Sequence, residues 1–177
     1  MVRTTRHMSG KSVSCVPIKS SNRPLKYKGR INIMRIATIN NNGKQTLAVR
    51  KGDSYVDLSK AAPDLPNDMT ALLEAGALDK AKQAAQAAGD DAMIAAADVS
   101  YLPVVTNPPK LLCCGLNYRD HAIETGADIP DYPIIFMRVP TTMAAHNAPM
   151  ILPKAASDYD YEAELAGIIG KGGRHIA

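Results

Sequence analysis

A regular alternation of hydrophobic and polar residues begins at Met34. This spacing predicts β-strands, because successive side chains of a strand point to opposite faces of a sheet. The three short strands that we predict cover residues 34–39, 45–49 and 55–58. Asn and Gly are concentrated at residues 40–43, and Gly52-Asp53 separates the second and third strands, so both places are expected to be turns. The folded region therefore starts with a small antiparallel meander.

Two helices are predicted after the meander. Asp68 is a favourable capping residue for a helix that runs to Ala75 and ends at Gly76. Residues 77–88 are rich in Ala, Lys and Gln, which are strong helix formers, and Gly89 follows them.

A connector over residues 101–110, which contains three prolines, predicts a domain boundary. The elements expected beyond it are a buried strand at 110–115, a short helix at 118–125, and strands at 134–138, 150–152 and 159–169. Asn117 is expected to cap the helix and Gly126 to end it.

Charge is distributed unevenly along the chain. Residues 1–33 contain eight of the 21 Lys and Arg and none of the 17 Asp and Glu, so the remainder is mildly acidic. A nucleic-acid-binding function is not expected, because it needs a basic folded face. No apolar run approaches the roughly 20 residues that cross a bilayer, so no membrane-spanning segment is predicted. We expect residues 1–33 to be a disordered or mis-included extension. A transit peptide is the weaker interpretation, since Pro17 and Pro24 interrupt any helix.

The three cysteines, Cys15, Cys113 and Cys114, are odd in number, and two of them are adjacent. This arrangement favours a reducing compartment, and we predict the cytoplasm. No Cys and His cluster has the spacing of a zinc site.

Glu162 and Glu164 are two residues apart in a predicted strand. In a strand these side chains share one face about 6.6 Å apart, so both carboxylates can reach one ion. Hard divalent cations prefer such oxygen ligands. The alternative interpretation is a solvated strand face that carries two acids.

His121 and Glu124 are three residues apart in a predicted helix and are therefore neighbours on its surface. A carboxylate beside an imidazole stabilises its charged form, which suits a general base. A surface ion pair is the alternative. Arg138, at the end of a predicted strand, is a candidate for binding a substrate carboxylate, and a surface arginine is the alternative.

Several short motifs occur in one order: residues 112–124 (LCCGLNYRDHAIE), 133–138 (PIIFMR), 151–153, 160–166 (DYEAELA) and 168–170. In this order they resemble the fumarylacetoacetate hydrolase family, in the short microbial branch of diene-dioate isomerases and acylpyruvate hydrolases. The resemblance covers residues 109–177, and residues 34–106 resemble the small N-terminal domain often found ahead of it.

The resemblance implies an α+β fold, with a small N-terminal β-meander plus helices followed by the first part of a mixed β-roll catalytic domain. The implied domains are residues 34–106 and 109–177, the second truncated at its C-terminus. In the family pattern Glu162 and Glu164 bind Mg²⁺, or Mn²⁺ or Ca²⁺, and a third carboxylate ligand is expected beyond Ala177. His121 is the implied base and Glu124 its orienting partner. Arg138 replaces a more usual lysine.

The function that we expect is metal-dependent hydrolysis of a carbon–carbon bond in a 2-oxo or 1,3-dioxo acid, of the acylpyruvate or fumarylacetoacetate type. Decarboxylation, isomerisation or hydration of related 2-oxo acids in aromatic catabolism is the alternative, and a non-catalytic truncated remnant is an alternative of another class. The 177-residue chain is expected to bind metal weakly and to lack measurable turnover. The expected partners are a small 2-oxo acid and, when the protein is complete, a second copy in a homodimer.

Overall fold

The computed structural model describes residues 33–157 and 161–176. The prediction for residues 1–33 therefore lies, apart from Ile33, outside the described residues. The strands are β1 (Ile36–Asn41), β2 (Lys44–Lys51), β3 (Ser54–Asp57), β4 (Met93–Ala95), β5 (Ser100–Tyr101), β6 (Leu111–Gly115) and β7 (Ile134–Arg138). The helices are α1 (Leu58–Ala61), α2 (Met69–Glu74), α3 (Leu78–Ala87) and α4 (Arg119–Thr125). Short 3₁₀ turns lie at Asp90–Ala92, Ala96–Asp98 and Pro140–Thr142.

The first five strands form one sheet in the order β4-β3-β2-β1-β5, and every pairing in it is antiparallel. The predicted meander is therefore confirmed. Asn42 and Gly43 connect β1 to β2 with φ angles of 53° and 81°. Two successive residues with positive φ match the right-handed twist of a hairpin, which is why Asn-Gly is favoured there.

The main hydrophobic core lies between this sheet and the helices that follow it. Leu47 and Val56 from the strands are fully buried against Leu72 of α2 and Ala81 of α3. Small residues on α3 let this helix approach the sheet closely. The opposite face of the sheet holds a smaller buried cluster of Ile39, Ala48 and Tyr55.

Local signals fix the ends of α2. The Asp68 carboxylate accepts a hydrogen bond from the Ala71 N–H at 3.0 Å, and Gly76 adopts a φ of 59° after the last turn. Both predictions are confirmed. The third predicted strand, by contrast, ends one residue early. Asp57 accepts a bond from the Ser59 N–H and starts α1 at Leu58.

A second, two-stranded sheet follows the proline-rich connector. β6 pairs antiparallel with β7, from Leu111 opposite Arg138 to Gly115 opposite Ile134. α4 ends at Gly126, whose φ is 67°, as predicted. The prediction that Asn117 caps α4 is wrong. Tyr118 occupies the capping position, and its side chain makes no capping hydrogen bond.

Three further predictions for this region are wrong. Residues 150–152 and 161–169 form no strand, because neither has a ladder partner within the described part of the chain. The strand at β6 exists but is not buried, since 54% of Leu112 is exposed. The side chains of β7 are exposed along its whole length. A hydrophobic run indicates a preference for the extended conformation. A strand also needs a neighbouring strand to pair its backbone hydrogen bonds.

The α+β fold class is confirmed by these antiparallel sheets and short helices. None of the helices in the described residues is long and apolar enough to cross a membrane.

Candidate active site

α4 holds the candidate base. His121 lies in its first turn, and the next residue, Ala122, is buried and anchors the helix. The Thr125 hydroxyl donates to the His121 carbonyl at 2.9 Å, which ties the last turn of the helix to the first. Only 15% of the His121 side chain is exposed. The imidazole is therefore held in a fixed and largely desolvated position.

Glu162 is the carboxylate that faces this imidazole. Its Oε1 lies 3.6 Å from His121 Nε2, an ion-pair distance when the histidine is protonated. The Glu162 side chain is 45% exposed, so the pair sits where solvent meets a mostly buried ring. A partly desolvated ion pair is electrostatically stronger than the same pair in water. The carboxylate is thus placed to interact electrostatically with Nε2.

The other ring nitrogen of His121 has a different environment. Nδ1 is buried and has no hydrogen-bond partner among the described residues. Buried polar atoms are almost always paired in folded proteins, and an orphan is a feature of strained or functional sites. The proton that exchanges with a ligand is therefore expected at Nε2, on the side of Glu162.

A second contact joins the same two segments. The Leu165 N–H donates to the Tyr118 hydroxyl at 3.0 Å. Tyr118 precedes α4, and Leu165 follows the candidate metal ligands in the chain. The sequence prediction treated Tyr118 only as the start of the helix. No local signal indicated this contact, because its partner is distant in the sequence.

Glu124 and Arg138 do not join this cluster. Glu124 is exposed at the far end of α4, and no hydrogen bond or ion pair between it and His121 occurs in the structure. Arg138 is exposed and pairs with Leu111 at one end of the β6–β7 ladder. Gly115, which precedes α4, lies at the other end of this ladder. The structure thus brings His121 next to Glu162, which sequence reasoning had assigned only to the metal.

Glu162 and Glu164 are the candidate ligands of a divalent cation. Both are exposed on an irregular segment and carry the carboxylate oxygens that Mg²⁺ prefers. No group of three or more His, Cys, Asp or Glu side chains converges on one point within residues 33–157 and 161–176. Mg²⁺ is often held by one or two carboxylates together with substrate and water, so this donor set fits such an ion in chemistry. It supplies too few ligands for a closed protein cage.

Comparison with known proteins identifies the region that contains these residues. Residues 110–177 match the profile of a family described as "Fumarylacetoacetate (FAA) hydrolase C-terminal". This match covers the second sheet, α4 and both carboxylates. The family predicted from the motifs is therefore confirmed.

Curated relatives extend the similarity beyond residues 110–177. A protein of Xenopus laevis named "Oxaloacetate tautomerase fahd2, mitochondrial" is 36% identical over 132 residues, which cover 73% of this chain and 41% of that protein. Its counterpart in Rattus norvegicus is 39% identical over 127 residues, 71% of this chain and 40% of that protein. A "Fumarylacetoacetate hydrolase domain-containing protein 2 homolog" of Dictyostelium discoideum is 28% identical over 154 residues, 85% of this chain and 50% of that protein.

The chain spans about two fifths of the length of the animal relatives that it matches. The names of these relatives describe enzymes that act on a 2-oxo acid. The profile match and the relatives agree with the order of motifs in the sequence, and residues 110–177 of this chain belong to the fumarylacetoacetate hydrolase family.

Proposed function

We propose that residues 110–177 carry the acid–base part of an active site that converts a 2-oxo acid between its keto and enol forms. The observation that carries this proposal is the contact between His121 Nε2 and Glu162 Oε1 at 3.6 Å. The relatives named oxaloacetate tautomerase support a 2-oxo dicarboxylic acid as the substrate class.

Tautomerisation needs one group that can accept a proton and give it back. His121 Nε2 takes a proton from the carbon next to the carbonyl, and the electron pair of the broken C–H bond forms the enol double bond. The proton then goes to the carbonyl oxygen. Glu162 stabilises the imidazolium that exists between these two transfers. Glu124 remains a second proposed orienting residue, because it lies one turn further along α4.

We propose that Glu162 and Glu164 hold a divalent cation, Mg²⁺ or alternatively Mn²⁺ or Ca²⁺. Glu162 Oε1 faces His121, which leaves Oε2 for the ion. When bound, such an ion polarises a substrate carbonyl as a Lewis acid. Arg138 is proposed to bind the distal carboxylate of the substrate, since a guanidinium matches a carboxylate with two parallel hydrogen bonds.

Hydrolysis of a carbon–carbon bond is the second candidate reaction. It needs a positioned water and a proton for the leaving carbon, in addition to the base. Tautomerisation needs only the base and the carboxylate that faces it, and it agrees with the names of the relatives. We therefore favour tautomerisation over the hydrolase activity expected from the motifs.

A non-catalytic role is the candidate of another class. It is supported by the exposure of the site, because Glu162 is half exposed and Leu165 is 91% exposed. Water reaches such a site freely, which weakens electrostatic catalysis. In place of the complete lack of turnover expected from the sequence, we propose slow proton exchange by this chain and no measurable carbon–carbon cleavage.

The experiment uses NMR to measure the rate at which the C3 protons of oxaloacetate exchange for deuterium in the presence of Mg²⁺. We expect this chain to accelerate exchange above the buffer rate and His121→Ala to remove the acceleration. His175→Ala is the matched control, because His175 is an exposed histidine outside the pair. Acceleration that persists in His121→Ala would contradict the proposed role of His121. No acceleration by the unaltered chain would favour the non-catalytic role.

We further propose two domains, residues 34–106 and 109–177, and an assembly of two copies. The separate sheets support the division. The exposed apolar side chains of β7 support an interface, because large apolar patches are rarely left in water. Light scattering of the purified chain distinguishes a dimer from a monomer.

The proposed compartment is the cytoplasm, on the evidence of the unpaired and adjacent cysteines. The names of the animal relatives include the word mitochondrial, so the alternative is import into that organelle. A fluorescent fusion at the C-terminus, with and without residues 1–33, tests both.

A further inference from the structure

Two contacts align the start of α4 with the segment that carries the candidate metal ligands. Tyr118 accepts a hydrogen bond from Leu165, and His121 faces Glu162. Tyr118 and His121 are three residues apart, as are Glu162 and Leu165. Because the first residue of one pair contacts the last of the other, the two segments run in opposite directions. A long-range hydrogen bond and a candidate catalytic pair are thus parts of one arrangement.

The segment that bears Glu162 is irregular and depends on specific contacts to keep its place. Residues 161–169 belong to no strand or helix, and the side chains along the segment are exposed. An exposed, irregular chain samples many conformations unless specific contacts restrict it. The bond from the Leu165 N–H to the Tyr118 hydroxyl is one such contact, and it acts three residues from Glu162.

We propose that Tyr118 is a positioning residue, whose hydroxyl fixes the segment 161–165 so that Glu162 faces His121. This inference rests on the proposed function, since the pair that it positions is the proposed acid–base pair. Tyr118 touches the backbone of the segment and not the reacting atoms. Its effect on proton exchange is therefore expected to pass entirely through the distance between His121 and Glu162.

Tyr118→Phe removes the hydroxyl that accepts the Leu165 bond and keeps the ring. We expect three changes. The Leu165 amide exchanges with solvent faster, the nuclear Overhauser effect between the His121 ring and the Glu162 methylene weakens, and kcat for proton exchange falls about tenfold, as when an orienting group is lost. KM stays near its original value, because substrate contacts are unchanged. Tyr132→Phe, at a tyrosine that is 83% exposed, is the control and leaves all three unchanged.

A second pair of variants removes the same bond from the other side. Leu165→Pro deletes the donor N–H, whereas Leu165→Ala keeps it and removes only an exposed side chain. We expect Leu165→Pro to reproduce the loss of the Overhauser effect and Leu165→Ala to retain it. This pair decides the question if Tyr118→Phe fails to fold.

An Overhauser effect that stays at full strength in both Tyr118→Phe and Leu165→Pro would overturn the proposal. A uniform loss of amide protection across α4 would also overturn it, since the hydroxyl would then stabilise the helix as a whole. These NMR measurements need no turnover. Their result remains valid even if His121→Ala shows that the proposed function is wrong. A failure of the positioning proposal can therefore be distinguished from a failure of the proposed function.

Discussion

His121 Nε2 on α4 lies 3.6 Å from Glu162 Oε1, on a segment that follows the second sheet in the chain. A mostly buried imidazole is thus paired with a carboxylate that reaches solvent. Glu124, three residues further along α4, makes no hydrogen bond or ion pair with His121. This relationship changes which acid is expected to matter most for proton transfer.

Glu162→Gln is predicted to reduce the rate of oxaloacetate proton exchange by about ten- to a hundredfold, because the neutral amide no longer stabilises the protonated imidazole. Glu124→Gln is expected to cost less, since no contact joins Glu124 to His121. Glu74→Gln, on α2, serves as a neutral control. Deuterium exchange measured by NMR gives all three rates. A larger effect from Glu124→Gln would show that the helical neighbour is the true partner.

Metal binding by this chain is predicted to be weak, with a Kd for Mn²⁺ on the order of 1 mM, because two carboxylates leave most of the coordination sphere to water. The double variant Glu162→Gln/Glu164→Gln is expected to lose this binding in a calorimetric titration. Glu74→Gln should bind as the unaltered chain does. Tight stoichiometric binding by the unaltered chain would mean that further ligands complete the site. Equal binding by the chain and the double variant would exclude these two residues as ligands.

Asp57 is predicted to be the most sensitive polar residue of the first sheet. Its buried carboxylate accepts hydrogen bonds from the Asn41 amide at 2.6 Å, the Thr46 hydroxyl at 3.2 Å, and the Ser59 N–H and hydroxyl at 2.8 and 2.6 Å. Asp57→Ala leaves these donors unpaired and removes a helix cap. We expect a loss of about 3 kcal/mol in the free energy of unfolding, measured in urea. Asp53→Ala, at an exposed aspartate, should change it by less than about 0.5 kcal/mol.

Two tyrosines on the other face of the first sheet are predicted to ionise at different pH values. The Tyr101 hydroxyl donates to the Tyr55 oxygen at 3.3 Å, which lowers the pKa of Tyr55, and the Arg50 guanidinium adds to this effect. The same bond raises the pKa of Tyr101, whose proton it holds. Absorbance of tyrosinate near 295 nm should show that Tyr101→Phe moves the Tyr55 ionisation to higher pH. An unchanged titration would contradict this coupling.

The directions of these two pKa shifts determine how the stability of the fold changes with pH. Because the pKa of Tyr55 is lower in the folded chain, its contribution to stability is present above the unfolded value of about 10 and is lost as the pH falls through the folded pKa. The contribution of Tyr101 runs the opposite way. It is present below about pH 10 and is lost as the pH rises through the raised pKa.

Short-range chemistry explains which features could be predicted from sequence. Asp68 caps α2, and Gly126 ends α4, because one side chain or one backbone angle decides each. The hairpin at Asn42-Gly43 is of the same kind. In each case the cause and the result lie within a few residues of each other.

Features that depend on distant contacts could not be predicted. The sequence pattern places Asp57 inside a strand, and only the bond that it accepts from the Ser59 N–H in the folded chain shows that it begins a helix. Glu162 and Glu164 have the alternation of a strand, yet no partner ladder forms there in the described residues. The approach of His121 to Glu162 is likewise decided by tertiary structure, and the helical spacing of His121 and Glu124 gave no indication of it.

A double-mutant cycle at His121 and Glu162 tests the central claim most directly. The rate of oxaloacetate C3 proton exchange would be measured without divalent cations, so that the proposed metal-binding role of Glu162 does not contribute, for the unaltered chain, His121→Ala, Glu162→Gln and the double variant. If Glu162 acts through His121, the double variant exchanges protons no more slowly than His121→Ala alone. If the losses from the two single variants multiply in the double variant, the residues act independently, and the proposed acid–base pair is contradicted.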